Sequence, residues 1–254
     1  MPTLSAILIT KNESLNLEDC LASLQELADE IVIVDTNSQD NTLEIAKRYG
    51  AIISQPADWP GFGPQKNRAL ELATKEWVLS IDADERLTPE LIKEIKVALN
   101  QPGDISCFSI PRSSYYCGRF MKHSGWYPDY VDRLFKRGSA VFSNHLVHER
   151  LLPSGKVGKL TQPLLHYSYR SFEQVLAKVN SYSSAGAQQA FEAGKSATLG
   201  SAIGHGIWAF VRTYIVRRGF LDGSYGFALA LSNGQTSYYK YLKLWHLCKS
   251  SRTK

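Results

Sequence analysis

Trp77-Val78-Leu79-Ser80-Ile81-Asp82-Ala83-Asp84-Glu85 is an apolar run that closes on a cluster of acids. On an extended segment Asp82 and Asp84 point to the same side, because side chains alternate along a strand. Two carboxylates held that close at the exit of a buried strand repel each other unless a cation or a hydrogen-bond network offsets them. A divalent metal would serve. Mg²⁺ is commonly held by one or two carboxylates, with phosphate oxygens of a substrate completing its shell. The segment therefore suits a nucleotide-diphosphate site. An isolated Asp-x-Asp reads more simply as a capped loop with a solvated Asp84, so the surrounding sequence has to decide.

Upstream, Leu4 to Ile9 is a short apolar run ending in Thr10-Lys11-Asn12-Glu13, and Leu17, Leu21 and Leu24 then recur at helical spacing. Glu30-Ile31-Val32-Ile33-Val34-Asp35 is a β-branched strand. Asn41 to Tyr49 reads as a helix closed by Gly50, Ala51 to Ser54 as a strand, Gln65 to Ala73 as a helix and Trp77 to Ile81 as the fourth strand. Downstream, Thr88 as N-cap, Pro89 at the first helical position and Leu91, Ile92, Ile95 and Leu99 as a buried stripe predict the next helix. Repeated β-α-β units predict an α/β fold, a mostly parallel sheet flanked by helices. Ligands of such sheets sit beyond the carboxyl ends of the strands. Thr10 to Glu13, Asp35 to Asp40 and Asp82 to Glu85 all fall at that edge, which lifts the acidic pair above an isolated motif. From Cys107 to about Tyr169 shorter strands rich in Tyr, Trp, Arg and His predict the acceptor side of a cleft, and helical signals resume at Phe172, Val175, Leu176 and Val179.

At 254 residues, 44% hydrophobic and 21% charged, the composition excludes a disordered chain and allows a sizeable core. Cys20, Cys107, Cys117 and Cys248 lack metal-like spacing and read as reduced thiols of a cytoplasmic protein, a lone Cys107–Cys117 disulfide being the alternative. No basic stretch precedes the first apolar segment, so a signal peptide is not expected. The net charge of +5 is uneven: Ser201 to Lys254 carries eight basic residues against Asp222 alone, a net +7 that leaves −2 for the rest. The same stretch holds ten aromatics, Trp208, Tyr214 and Trp245 among them. Basic residues interleaved with Trp and Tyr suit an anionic membrane surface. No stretch reads as a transmembrane span. Ile207, Phe210, Val211, Tyr214 and Ile215 can share a helix face with Arg212 off it, as an interfacial helix requires. Packing on the α/β domain or a dimer contact is the alternative. Nucleic acid is not an expected partner, because apolar residues dilute the basic ones.

Taken together and in order, Thr10-Lys11-Asn12-Glu13, Ile33-Val34-Asp35-Thr36-Asn37-Ser38-Gln39-Asp40-Asn41-Thr42 and Asp82-Ala83-Asp84-Glu85 resemble the family 2 glycosyltransferases of GT-A fold. Trp126-Tyr127-Pro128, Arg133-Leu134-Phe135-Lys136-Arg137 and Val147-His148-Glu149-Arg150 extend the resemblance beyond residue 100. With Pro60-Gly61-Phe62-Gly63-Pro64-Gln65-Lys66-Asn67-Arg68 and Arg218-Gly219-Phe220-Leu221-Asp222-Gly223, the chain looks like the subgroup that adds glucose to a heptose of the lipopolysaccharide or lipooligosaccharide inner core. Many family members carry two adjacent acids after the second strand. Here Thr36 follows Asp35, so nucleoside contacts rest on Asp35 with less redundancy.

The resemblance implies a GT-A domain over 1–170, with 1–100 as nucleotide-sugar half and 101–170 as acceptor half, and a helical region over 171–254. It implies that Thr10, Asn12, Glu13 and Asp35 line the nucleotide pocket, where carboxylates and amides suit uracil and ribose. Lys66 and Arg68, after a Gly/Pro loop at a helix start, suit a diphosphate. Asp84 is implied as the direct ligand of Mg²⁺ or Mn²⁺, with Asp82 touching ribose or the metal through water and His166 as a further ligand. Inverting transfer needs a base for the acceptor hydroxyl. Glu149 is the candidate and Asp129 the runner-up, Glu149 being equally able to pair with Arg150 or Arg133. The expected reaction is metal-dependent transfer of a sugar from a UDP-sugar, UDP-glucose first, to the core heptose at the cytoplasmic face of the inner membrane. Transfer to a polyprenyl phosphate and a catalytically silent sugar-nucleotide or glycolipid binding module are the alternatives.

Overall fold

The computed structural model of the protein describes residues 2–143 and 149–251. Its first half runs β1 (Leu4–Thr10), α1 (Leu17–Leu24), β2 (Glu30–Asp35), α2 (Thr42–Arg48), β3 (Ile52–Ser54), α3 (Phe62–Leu72), β4 (Trp77–Ser80), β5 (Glu85–Leu87), α4 (Pro89–Asn100) and β6 (Ile105–Tyr116). It continues through β7 (Arg119–Phe120), β8 (Asp129–Lys136), β9 (Ala140–Phe142), β10 (Leu151–Pro153), β11 (Lys156–Lys159), β12 (Leu164–Tyr169), α5 (Phe172–Glu192), α6 (Leu199–Val211) and α7 (Gly223–Ser251). Two compact units result, Met1–Arg112 with Tyr130–His166, and Ser113–Asp129 with Tyr167–Lys254. Residues 113–129 therefore group with the helices, not with the segments on either side of them.

In the first unit β1 lies between β2 and β4, all parallel, with Thr10 opposite Asp35, Leu8 opposite Ile33 and Ala6 opposite Leu79. β3 extends this parallel block beside β2, and β8 joins antiparallel to β4. The order across the sheet is β3-β2-β1-β4-β8-β6-β12-β5. Alternation along the strands sends Leu4, Ala6 and Leu8 into one apolar layer with Leu17 and Leu21 of α1 and Ile95 of α4. Ile7, Val32, Val34 and Val78 enter the other with Ala69 of α3. Each such fully buried aliphatic side chain contributes about 1.5–3 kcal/mol. The α/β architecture expected from the strand and helix signals is present.

Local signals hold where they are chemical. Thr88 Oγ1 accepts from Leu91 N at 3.1 Å, capping α4 as its sequence predicts. Gly50, at φ +69°, follows α2. Helix α3 starts three residues earlier than expected, at Phe62, because Pro64 sits in its first turn, where a missing N–H costs nothing. β5 was not expected at all. It is three residues long and pairs antiparallel with β12, setting His166 opposite Glu85.

In the second unit α5 and α7 pack around Tyr116, Met121, Val175, Val179 and Leu229, and α6 packs against α7. A wide π turn over Arg212–Val216 and a short 3₁₀ turn over Gly219–Asp222 link α6 to α7. Asp222, fully buried, accepts from the backbone N–H groups of Lys122 and His123 at 3.1 and 2.9 Å and from the Ser124 hydroxyl at 3.2 Å. No helix among the described residues is long and apolar enough to cross a membrane. All four cysteines are free thiols. Burial, with Asp132 adding to it, pushes the Cys107 thiol up to about 12, so it is unreactive near neutrality.

Candidate active site

The parallel register brings the carboxyl ends of β1, β2 and β4 to one edge. Thr10 Oγ1 donates to Asp35 Oδ2 at 2.8 Å, and Ser38 donates its hydroxyl to Oδ2 at 2.6 Å and its N–H to Oδ1 at 2.9 Å. Asp35 is fully buried, so its carboxylate organises the loop after β2 from within. Ser38 Oγ accepts in turn from Asn12 N at 2.8 Å, and Asn12 Oδ1 accepts from Gln39 N at 2.8 Å. Both Asn12 and Asn37 take the left-handed backbone, at φ +55° and +54°, which asparagine tolerates. The loops after β1 and β2 are thereby laced together, with Asn12 exposed and Glu13 half-buried.

Asp82 and Asp84 do not lie on an extended segment. The backbone turns after Ile81, with Glu85 N donating to Asp82 O at 2.9 Å, and the two carboxylates take different partners. Asp82 Oδ1 meets Lys66 Nζ at 3.0 Å, while Oδ2 is gripped by Arg133, which also donates to Glu85 Oε1 at 2.7 Å. Glu85 has no exposed surface, and its Oε2 accepts from Asp82 N at 2.9 Å. Burial pushes the Asp82 carboxyl up, but Arg133 and Lys66 outweigh it and hold the group well below the usual carboxylate range. Asp82 is thus a permanent anion with both oxygens already engaged by cations.

Asp84 instead faces His166, Oδ2 to Nε2 at 3.3 Å. That pairing follows from β5 meeting β12. Nearby, burial raises the Glu13 pKa, with Asp84, Asp40 and Asp82 adding to the rise against the Asn16 hydrogen bond. Asp84 therefore lies in a neighbourhood of carboxylates. No group of three or more metal-donor side chains occurs among the described residues. A carboxylate and an imidazole near further carboxylates still fit a divalent cation whose remaining positions would go to phosphate oxygens.

Lys66 is nearly buried and also reaches Glu149 Oε1 at 3.1 Å, so one ammonium joins Asp82 to Glu149. Glu149 pairs with Lys66 rather than with Arg150 or Arg133. Gly63, one turn before Lys66, lies so close to Ser143 that a Cβ there would come 1.8 Å from the Ser143 carbonyl oxygen. Ser143 and Arg150 are joined in turn through Ser143 N to Arg150 O at 2.9 Å, which seats Glu149 beside α3. The Arg68 guanidinium makes a two-pronged pair with Asp58 at 3.0 and 2.8 Å and donates to Gln65 Oε1 at 3.0 Å. Asp129 opens β8 and is counted with the second unit. His148, which the sequence sets beside Glu149, lies outside the described residues.

Arg133 and Glu85 carry much of this network, and motif reading gave neither a role. Their signal was present. An arginine within Val131-Asp132-Arg133-Leu134-Phe135, and a glutamate opening a buried strand, need charged partners.

This sheet with its acidic strand edge is that of a glycosyltransferase of GT-A fold. The chain belongs to glycosyl transferase family 2, whose sequence profile matches residues 5–149. An uncharacterized glycosyltransferase of Rickettsia prowazekii is 31% identical over 99% of this chain and 90% of its own length. The lipopolysaccharide core biosynthesis glycosyltransferase LpsC of Rhizobium meliloti is 31% identical over 95% of this chain and 92% of its own. Among solved structures, TarS of S. aureus superposes with a TM-score of 0.50 at 18% identity, over 71% of this chain and 39% of that one, a likeness of fold.

Proposed function

We propose that the protein transfers glucose from UDP-glucose, with inversion, to a heptose of the lipopolysaccharide or lipooligosaccharide core, working peripherally at the cytoplasmic face of the inner membrane. The observation that carries the reading is the division of labour at the strand edge. Asp82 is locked between Lys66 and Arg133, and Asp84 stands with His166 near Glu13, whose pKa burial and the neighbouring carboxylates raise. The overall similarity to LpsC supports the core acceptor.

In this reading Thr10, Asn12, Glu13 and Asp35 shape the nucleoside end, while Asp82 accepts from donor hydroxyls. Asp84 and His166 would hold Mg²⁺ or Mn²⁺, which would supply positive charge against the departing diphosphate. Lys66 fixes Glu149 through Oε1. The other oxygen of Glu149 takes the proton of the acceptor hydroxyl as that oxygen bonds to the anomeric carbon and the bond to the diphosphate breaks. Arg68 contributes through the Asp58 pair, steadying the loop before α3.

A donor screen tests this: UDP-, GDP- and dTDP-sugars with Mn²⁺, Mg²⁺ or chelator, offered heptose-bearing core, polyprenyl phosphate or water as acceptor. Chelator-sensitive transfer from UDP-glucose to the core is expected, and Asp84→Asn and His166→Ala each weaken metal dependence. Transfer that ignores chelator, prefers a GDP-sugar or selects polyprenyl phosphate refutes it.

A further inference from the structure

The helical unit leaves an unusual amount of apolar surface uncovered. Ile207 is 60% exposed, Trp208 58%, Ile215 54% and Val216 63%, all on α6 or the π turn that continues it. Single exposed apolar residues are ordinary, but a continuous patch marks an interaction surface. Continuity is visible in the ring contacts. Ile203, Ile207 and Phe210 follow one helix face at i, i+4 and i+7. Phe210 then meets Phe227 of α7 at 5.5 Å between centroids, and Tyr214 links Phe227 at 5.6 Å to Phe220 at 6.3 Å. The patch therefore runs across two helices and down to the turn that joins them.

Charge selects the occupant. From Ala193 to Ser251 the chain has seven lysines and arginines and one carboxylate, Asp222, which is fully buried against the backbone of Lys122 and His123. This surface consequently presents no carboxylate from that stretch. At its tip the order is apolar Ile215-Val216, basic Arg217-Arg218, then apolar Phe220-Leu221, every one of the six exposed. A second copy docking face to face would bring these arginines against their own equivalents, which like-charge repulsion opposes. An anionic bilayer instead takes the apolar side chains at its acyl boundary, the arginines at its phosphates and Trp208 at the interface.

We infer that α6, the 212–221 turn and the start of α7 form the face that docks on anionic lipid, Ile207 and Phe220 entering the interface with Arg212 and Arg218 at the headgroups. The inference rests on the peripheral-membrane part of the proposed function and names the surface that performs it. The Asp222 anchor makes the tip a fixed wedge.

Sedimentation of the full chain with vesicles of phosphatidylcholine alone, or mixed with phosphatidylglycerol, tests it. Binding is expected to require the anionic lipid and to fall with salt. Ile207→Glu and, independently on α7, Phe227→Glu should each weaken it by about tenfold or more, and Arg212→Gln with Arg218→Gln by about tenfold together. Circular dichroism confirms that the variants fold, and donor hydrolysis by Ile207→Glu should match the parent. If the parent binds and all these variants bind equally, this face is wrong while the peripheral reading stands. A parent that ignores both vesicle types overturns both. A parent dimer in size-exclusion chromatography that Ile207→Glu dissociates, with no vesicle binding, assigns the patch to a second copy and overturns the inference.

Discussion

Replacing Lys66 by methionine keeps the stem of the side chain and removes the ammonium that lies 3.0 Å from Asp82 and 3.1 Å from Glu149. At that range each contact is worth about 5 kcal/mol of attraction at an effective dielectric near 20, before the cost of desolvation is charged against it. Deleting one partner of a buried pair typically costs about 3–5 kcal/mol. Here the carboxylates are 33% and 21% exposed, so water takes over part of the lost solvation and the expected loss is about 2–3 kcal/mol. Urea unfolding measures it. A double-mutant cycle with Glu149→Gln should return at least about 1 kcal/mol of coupling, because the double variant leaves no unpaired Glu149 charge. Arg133 still neutralises Asp82 in these variants, so the Asp82 carboxyl rises only part of the way toward its ordinary range. Donor affinity should fall with stability, since Asp82 loses the cation that fixes its orientation. A Lys66→Met protein within about 0.5 kcal/mol of the parent, with zero coupling to Glu149, would refute the bridge.

Glu149→Gln should lower turnover by about a hundredfold or more with donor affinity unchanged; near-normal turnover removes Glu149 as the base. Glu13 has a folded pKa above its ordinary 4.5, so the folded state holds its proton longer and stability drains away as pH rises from 4.5 through that raised value. Glu13→Gln should flatten this stretch of a melting-temperature profile and stand above the parent at neutral pH, whereas parallel profiles would contradict the assignment. Gly226→Ala would bring a Cβ to 1.8 Å from the Gly219 carbonyl oxygen and 3.0 Å from Asp222 Cβ, both fixed parts of the turn before α7. A loss of about 2–3 kcal/mol is expected in thermal or urea unfolding, and an unchanged midpoint would mean that the turn yields freely.

The strands and capped helices of the first hundred residues were legible because their signals are local. Alternating β-branched runs, Thr88 with Pro89, and Gly50 act within a few residues of themselves. The divergence of Asp82 from Asp84 was not legible, since it depends on a turn after Ile81 that frees Glu85 to begin a strand. That strand pairs with residues about eighty positions later in the chain, and the pairing alone sets His166 against Asp84. Arg133 shows the same limit from the other side. Its sequence announces a charge that needs a partner, yet Asp82 and Glu85 become its partners only when β8 aligns antiparallel to β4. The acidic pair that decides the fold is therefore two chemically distinct groups. Asp82 is held by Lys66 and Arg133, whereas Asp84 meets His166 and lies close enough to Glu13 to help raise its pKa. A like contrast separates Asp222, engaged by the Lys122 and His123 backbone and the Ser124 hydroxyl, from Arg212 and Arg218, which remain exposed on the helical face.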